Sequence, residues 1–124
     1  MELPIAIKKH IEENSAKLKK HSEKLAKLYE NCYASTIETA LVPKEDGTIF
    51  VLTGDIPAMW LRDSSAQVNH YVELAQDKEV AEIIKGVIRR QFKYILIDPY
   101  ANAFNEAPNG KGMTTDRPKN GPWV

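Results

Sequence analysis

One cysteine, Cys32, stands in 124 residues, so no intramolecular disulfide is possible and no thiol pair is available for zinc. Three histidines, His10, His21 and His70, are scattered without a His-x-x-x-His spacing, which leaves no metal pattern. The formal net charge is zero, against the basic excess expected of a nucleic-acid binder. No run approaches the roughly 18 apolar residues of a membrane span. Met1 to Ile7 leads straight into Lys8, Lys9 and His10 with no apolar leader, so a cytoplasmic location is expected. Gly-x-x-x-x-Gly-Lys, Gly-x-Gly-x-x-Gly and Gly-x-Ser-x-Gly are all missing, which removes local support for nucleotide binding and serine hydrolysis. Hydrophobic residues at 43% and charged residues at 27% fit a soluble globular protein of one ordinary domain.

The pattern that remains is mostly helical. Residues 5 to 41 predict helix in more than one piece, with Ser22 as a second N-cap and Leu25, Leu28, Tyr29, Cys32 and Tyr33 as an apolar stripe. Cys32 is expected to pack there as a small apolar residue. Lys17, Lys19, Lys20, Lys24 and Lys27 read as a solvated face. Leu41-Val42-Pro43 and Thr48 to Leu52 flank Lys44-Glu45-Asp46-Gly47, a hairpin signal whose first arm Pro43 confines to an edge.

A second helix pair follows. Ser64 to Gln76 is expected as a helix capped by Asp63 or Ser64, and Lys78 to about Ile97 as a longer one capped by Asp77. Together they predict an αα-hairpin. Gly86, inside the longer helix, implies close helix–helix approach. Ile83, Val87, Phe92 and Leu96 exceed what the shorter helix can cover, so the isolated chain is expected to associate, or to order only with further polypeptide. Asp98-Pro99 ends the helix. The last 27 residues hold four prolines, three glycines and four asparagines and show no period. Their closing Pro122-Trp123-Val124, an apolar turn after a long loop, suggests a larger chain cut at this point.

Chemistry concentrates in two clusters. The first is Asp55, Trp60, Arg62 and Asp63, set where an apolar run meets a helix start. The second is the loop Asp98 to Glu106, with Asn102 and Asn105. Asp, Asn and Arg supply the fixed donors and acceptors that hydroxyl pairs need, and Trp60, Tyr100 or Phe104 the flat apolar surface a pyranose face prefers. The residues alone leave another reading open. Trp60 then belongs to the core, Arg62 and Asp63 form a structural pair, and the asparagines bond their own turns.

Asp46-Gly47-Thr48-Ile49-Phe50-Val51-Leu52-Thr53-Gly54-Asp55-Ile56-Pro57-Ala58-Met59-Trp60-Leu61-Arg62-Asp63-Ser64-Ser65-Ala66-Gln67-Val68 resembles the signature of glycoside hydrolase family 125, the exo-α-1,6-mannosidases. Gly86 to Gln91, Asp98 to Asn105 and Asn120 to Val124 agree with it, so the resemblance runs from about Leu25 to the last residue. It implies a mainly α fold, the N-terminal part of an (α/α)6 toroid with a small β-hairpin on the pocket rim. Residues 1–124 would be the N-terminal segment of a single catalytic domain, truncated at its C-terminus.

The resemblance also implies hydrolysis of terminal α-1,6-linked mannose with inversion, in N-glycan degradation, without metal or cofactor. The partner is a mannose-containing oligosaccharide, with no nucleic acid and no membrane. The general acid and base are expected downstream of Val124, leaving the chain alone inactive. Asp55, Trp60, Arg62, Asp63, Asn102 and Asn105 are then the wall of the sugar subsite. The alternatives are a stand-alone carbohydrate-binding or interaction module, and a helical scaffold with no site.

Overall fold

The computed structural model describes residues 1–110 and 121–124. Residues 111–120 lie outside the described residues.

Two helices open the chain, α1 (Ile5–Lys19) and α2 (Glu23–Ser35), and pack on each other across a three-residue turn. Ser22 caps α2 as expected, its hydroxyl accepting from the Leu25 N–H at 3.2 Å. The expected apolar stripe of α2 is corrected. Its buried residues are Ala26, Tyr33 and Ala34, while Leu25 and Leu28 face solvent. Cys32 is exposed, not packed. Tyr29 and Tyr33 of that stripe do pack on the core. The five lysines are exposed, as read. A π-type turn, Thr36–Ala40, ends the helix and hands the chain to β1.

Strands β1 (Leu41–Pro43) and β2 (Ile49–Val51) form the expected antiparallel hairpin, with Leu41 opposite Val51 and Pro43 opposite Ile49. Gly47 supplies the positive φ of +74° that the turn needs. The Asp46 carboxylate accepts from the Thr48 N–H at 3.1 Å and from its hydroxyl at 2.6 Å. Strand β3 (Ala58–Trp60) runs directly into helix α3 (Leu61–Asn69).

Helix α3 therefore begins three residues before the expected Ser64 and ends well before Gln76, followed by a 3-10 turn at Val72–Leu74. Neither Asp63 nor Ser64 caps it. Trp60 holds the cap position and makes no side-chain cap. The Leu61 N–H is satisfied instead by the Asn102 carbonyl at 3.0 Å. That acceptor lies about forty residues along the chain, beyond any local pattern.

Helix α4 (Lys78–Ile97) is capped as expected by Asp77, whose carboxylate accepts from the Glu79 and Val80 N–H groups. The α3–α4 hairpin is only a minor contact, because α4 lays most of its buried face on β2. Gly86 marks that approach. A β-carbon added there would stand 2.8 Å from Ile49 Cγ1, so the close neighbour is a strand side chain, not the expected helix.

Ile83 and Val87 are thus covered by the sheet, whereas Phe92 and Leu96 stay 62% and 86% exposed. The loop after α4 holds a fourth strand, β4 (Ala103–Asn105), antiparallel to β3 with Trp60 opposite Ala103. The core joins Ile7, Tyr33, Phe50, Met59, Tyr71 and Tyr94. Phe104 stacks on Tyr94 with ring centres 4.4 Å apart. Trp123 also packs against this core, with its carbonyl accepting from the Asn105 N–H.

Candidate functional site

The β3–α3 junction gathers both chemical clusters. The chain turns at Gly54, with φ +59°, and Asp55, held by a Thr53–Ile56 bridge, so the Asp55 carboxylate is exposed at the tip. Trp60 is half-buried, and its N–H donates to the Thr53 hydroxyl at 3.3 Å. Pairing of β3 with β4 then sets Asn102 beside the start of α3, where its carbonyl receives the Leu61 N–H. Asp55, Trp60, Arg62, Asp63 and Asn102 therefore sit on one connected piece of backbone.

Arg62 and Asp63 occupy the first turn of α3. The guanidinium is 90% exposed and the carboxylate 38%, with Arg62 Nη2 and Asp63 Oδ1 3.8 Å apart. An exposed pair at that distance contributes at most about 1 kcal/mol, so neither group is committed to holding the fold. A planar donor fork and a carboxylate acceptor stand 3.8 Å apart, two and three residues past the half-buried Trp60. This is the equipment for binding a polyhydroxylated ring.

Asn105 is corrected. It is 3% exposed, its side-chain amide donates to the Pro122 carbonyl at 2.9 Å, and its own carbonyl accepts from the Tyr94 hydroxyl at 2.8 Å. Phe104 and Asn105 are both buried, and the Asn105 amide braces the C-terminal segment through Pro122. Asn102 stays at the exposed rim.

Two residues not singled out as functional hold this junction. Gln91, on α4, places its amide nitrogen 2.8 Å from the hydroxyls of both Ser64 and Ser65 and 3.2 Å from the Leu61 carbonyl. Arg90, 2% exposed, donates to the Thr48 hydroxyl and to the Glu106 carbonyl, and lies 4.8 Å from the Tyr94 ring centre. Arg90 thereby ties the hairpin to the segment after β4. Lys93 reinforces the tie through Asp46 at 2.8 Å. The Lys93 and Thr48 hydrogen bonds hold the Asp46 carboxyl well below the usual range. Burial pushes the Tyr94 phenol up to about 12. The signal for Arg90 was in the sequence. Ile83, Val87, Arg90 and Tyr94 share one helix face, and a cation on an apolar stripe must find buried partners.

Grooves lie elsewhere among the described residues. One of about 610 Å³ runs between the hairpin and the first turns of α4, lined by Pro43, Thr48, Ile49, Asp77 and Ile83 among others. One of about 500 Å³ lies over Asp46, Arg90, Lys93, Glu106 and Trp123. A charged one of about 430 Å³ lies between Lys19, Glu23, Lys24, Lys27 and Glu30. These three grooves are not lined, among the described residues, by Asp55, Trp60, Arg62, Asp63, Asn102 or Asn105. Among the described residues no group of three or more His, Cys, Asp or Glu is placed to hold a metal ion.

Comparison with known proteins gives the family. Residues 22–122 match the family described as metal-independent alpha-mannosidase (GH125). The chain is 40% identical over 87 residues to the meiotically up-regulated gene 157 protein of Schizosaccharomyces pombe, covering 66% of this chain and 17% of that protein. It also resembles a solved Streptococcus pneumoniae structure, described as a non-productive substrate complex with alpha-1,6-mannobiose from a family of metal-independent alpha mannosidases. There the identity is 38% and the TM-score 0.84, over 100% of this chain and 30% of that one. The chain thus spans under a third of the length of either relative.

Proposed function

This chain belongs to the metal-independent alpha-mannosidase family GH125, and from that premise we propose that it supplies one wall of the mannose-binding pocket of an exo-acting α-1,6-mannosidase. Its fold corresponds to a fragment of the family's α/α toroid. The observation that carries the reading is the β3–β4 pairing. It brings the backbone of Asn102 beside Trp60 and the first turn of α3, which carries Arg62 and Asp63, in a chain similar over its whole length to a protein solved with α-1,6-mannobiose.

In this reading Arg62 donates to hydroxyls of the terminal mannose and Asp63 accepts from them. A charged partner makes such bonds about twice as strong as neutral ones. Trp60 lines the apolar face of the ring, and Asp55 and Asn102 close the rim. Substrates are N-linked glycans ending in α-1,6-mannose, the class to which the Streptococcus pneumoniae structure's description refers.

Hydrolysis with inversion needs a carboxylic acid for the leaving oxygen and a carboxylate for the attacking water, about 6.5–9.5 Å apart on opposite faces of the sugar. This chemistry relies on the two carboxyl groups and fits the family's description as metal-independent. Asp63 is assigned to sugar hydroxyls, and neither acid nor base is assigned to residues 1–124.

The test is kinetic. In the full gene product, Arg62→Ala and Asp63→Asn should each lower kcat/KM on α-1,6-mannobiose about ten- to a hundredfold, the worth of one hydrogen bond to a charged group. The 124-residue chain by itself should show no turnover. Unchanged kcat/KM in both variants would refute the assignment.

A further inference from the structure

We infer that Gln91 is a positioning residue for the sugar-binding turn, fixing the direction in which Arg62 and Asp63 leave the first turn of α3. The inference rests on the sugar-binding reading above and adds to it a residue on another helix.

Helix α3 lacks a side-chain N-cap. Trp60 stands at the cap position and offers no side-chain acceptor to the first turn. Such a turn frays unless tertiary contacts hold it. Two do so here. The Asn102 carbonyl takes the Leu61 N–H at 3.0 Å. From the other side, Gln91 reaches across from α4 to Ser64, Ser65 and the Leu61 carbonyl.

The donors and acceptors around Gln91 are mutually consistent. The hydroxyls of Ser64 and Ser65 donate to the Leu61 carbonyl at 2.9 and 3.0 Å. Their oxygen lone pairs are then left for the two hydrogens of the Gln91 amide, whose nitrogen is 2.8 Å from each. A reversed amide would set its oxygen 3.2 Å from the Leu61 carbonyl, acceptor against acceptor. Ser64 is fully buried, so its bond to Gln91 is partly shielded from competing water, while the Ser65 bond lies at the surface.

The clamped positions are 61, 64 and 65. The two positions between 61 and 64 are Arg62 and Asp63, whose side chains are 90% and 38% exposed. A clamp on both sides leaves the intervening Cα–Cβ directions fixed while the heads stay accessible. The platform is rigid too, because the residue before Gln91 is the buried Arg90, locked to Thr48 and Glu106. Misplacing a binding group by about 1 Å can lower turnover a hundredfold, so this bracing reaches catalysis without Gln91 touching sugar.

The experiment uses the full gene product with α-1,6-mannobiose and three variants. Gln91→Met keeps the length and removes the donor. Gln91→Glu keeps the shape, but its ionised carboxylate can only accept; when protonated it donates again. Arg62→Ala reports on the sugar reading itself. At neutral pH both Gln91 variants should lose tenfold or more in kcat/KM. As pH falls through the carboxyl range, the Gln91→Glu to wild-type ratio should recover, while the Gln91→Met ratio stays flat. A purely structural Gln91 would give no such recovery. Should Gln91→Met unfold early, Gln91→Glu compared at two pH values carries the test within one folded protein. Wild-type kcat/KM in the Gln91 variants, or a pH-independent Gln91→Glu ratio, overturns the inference provided Arg62→Ala is impaired. An unimpaired Arg62→Ala overturns the sugar reading, and the inference with it.

Discussion

Replacing Gly86 by alanine sets two effects of opposite sign against each other. In a helix interior alanine is favoured over glycine by about 1 kcal/mol. Against this, the new β-carbon would lie 2.8 Å from Ile49 Cγ1 and 3.0 Å from Cδ1. Cγ1 is attached directly to the backbone-proximal carbon of a β-branched residue that is 6% exposed, so it cannot swing away freely. Relief must come from an off-rotamer Ile49 or from lifting α4 off β2, and overpacking of this kind costs about 1–3 kcal/mol. The net expectation is a loss of about 1 kcal/mol, or about 4 °C in melting temperature for a chain this long. Ile49→Ala removes both crowding carbons and leaves only the β-carbon, at an ordinary 3.5 Å. In that background Gly86→Ala should stabilise by up to about 1 kcal/mol, giving a coupling of about 2 kcal/mol between the two sites. Urea titration of the four proteins measures it. A Gly86→Ala variant that gains stability beside Ile49, or that behaves alike in both backgrounds, refutes the close α4–β2 approach.

Other perturbations probe the rest of the frame. Arg90→Met strips the Glu106 carbonyl and the Thr48 hydroxyl of a buried donor, while Asp46 keeps Lys93. A loss of about 2 kcal/mol is expected in chemical denaturation, and Arg90→Lys should not restore it because an ammonium lacks the planar fork. Burial holds His70 below its ordinary value, against the opposing pull of its Tyr33 contact and of Glu73. Below about pH 6.5 the unfolded chain thus takes up a proton that the folded one resists, and stability should fall as pH drops below neutral. Urea midpoints at pH 7 and 5.5 should show the fall, and His70→Gln should reduce it. Asp46 acts in a separate window, since its depressed carboxyl stabilises the fold above about pH 4 and loses that contribution in stronger acid. Cys32, exposed on α2, should take one equivalent of a maleimide without denaturant. Labelling only after unfolding would contradict its placement.

Elements governed by neighbours in sequence were legible. The Asp46-Gly47 turn, the Ser22 cap and the Asp77 cap each depend on residues within three positions. Elements governed by distant partners were not. Helix α3 starts at Leu61 because Asn102 and Gln91 hold its first turn, and neither is visible from the local pattern. Strand β4 has only three residues, too few to show a period, and its asparagines imitate a turn. Of the α2 stripe, Tyr29 and Tyr33 pack on the core, while Leu25, Leu28 and Cys32 are exposed.

The candidate site divides in the same way. Both chemical clusters could be read from residue types, but their union through β3–β4 pairing and the burial of Asn105 could not. The unpartnered Phe92 and Leu96 are the face that the α4 pattern had marked as more than α3 could cover.

The central claim is that Arg62 and Asp63 grip a terminal mannose. The most direct measurement is a crystal structure of the full gene product with α-1,6-mannobiose bound. The expected result is a mannose ring whose hydroxyls lie within 3.2 Å, about the limit of an N–H···O bond, of the Arg62 guanidinium and the Asp63 carboxylate, with Trp60 along its apolar face. A disaccharide bound elsewhere, with both side chains still facing bulk solvent, would contradict it.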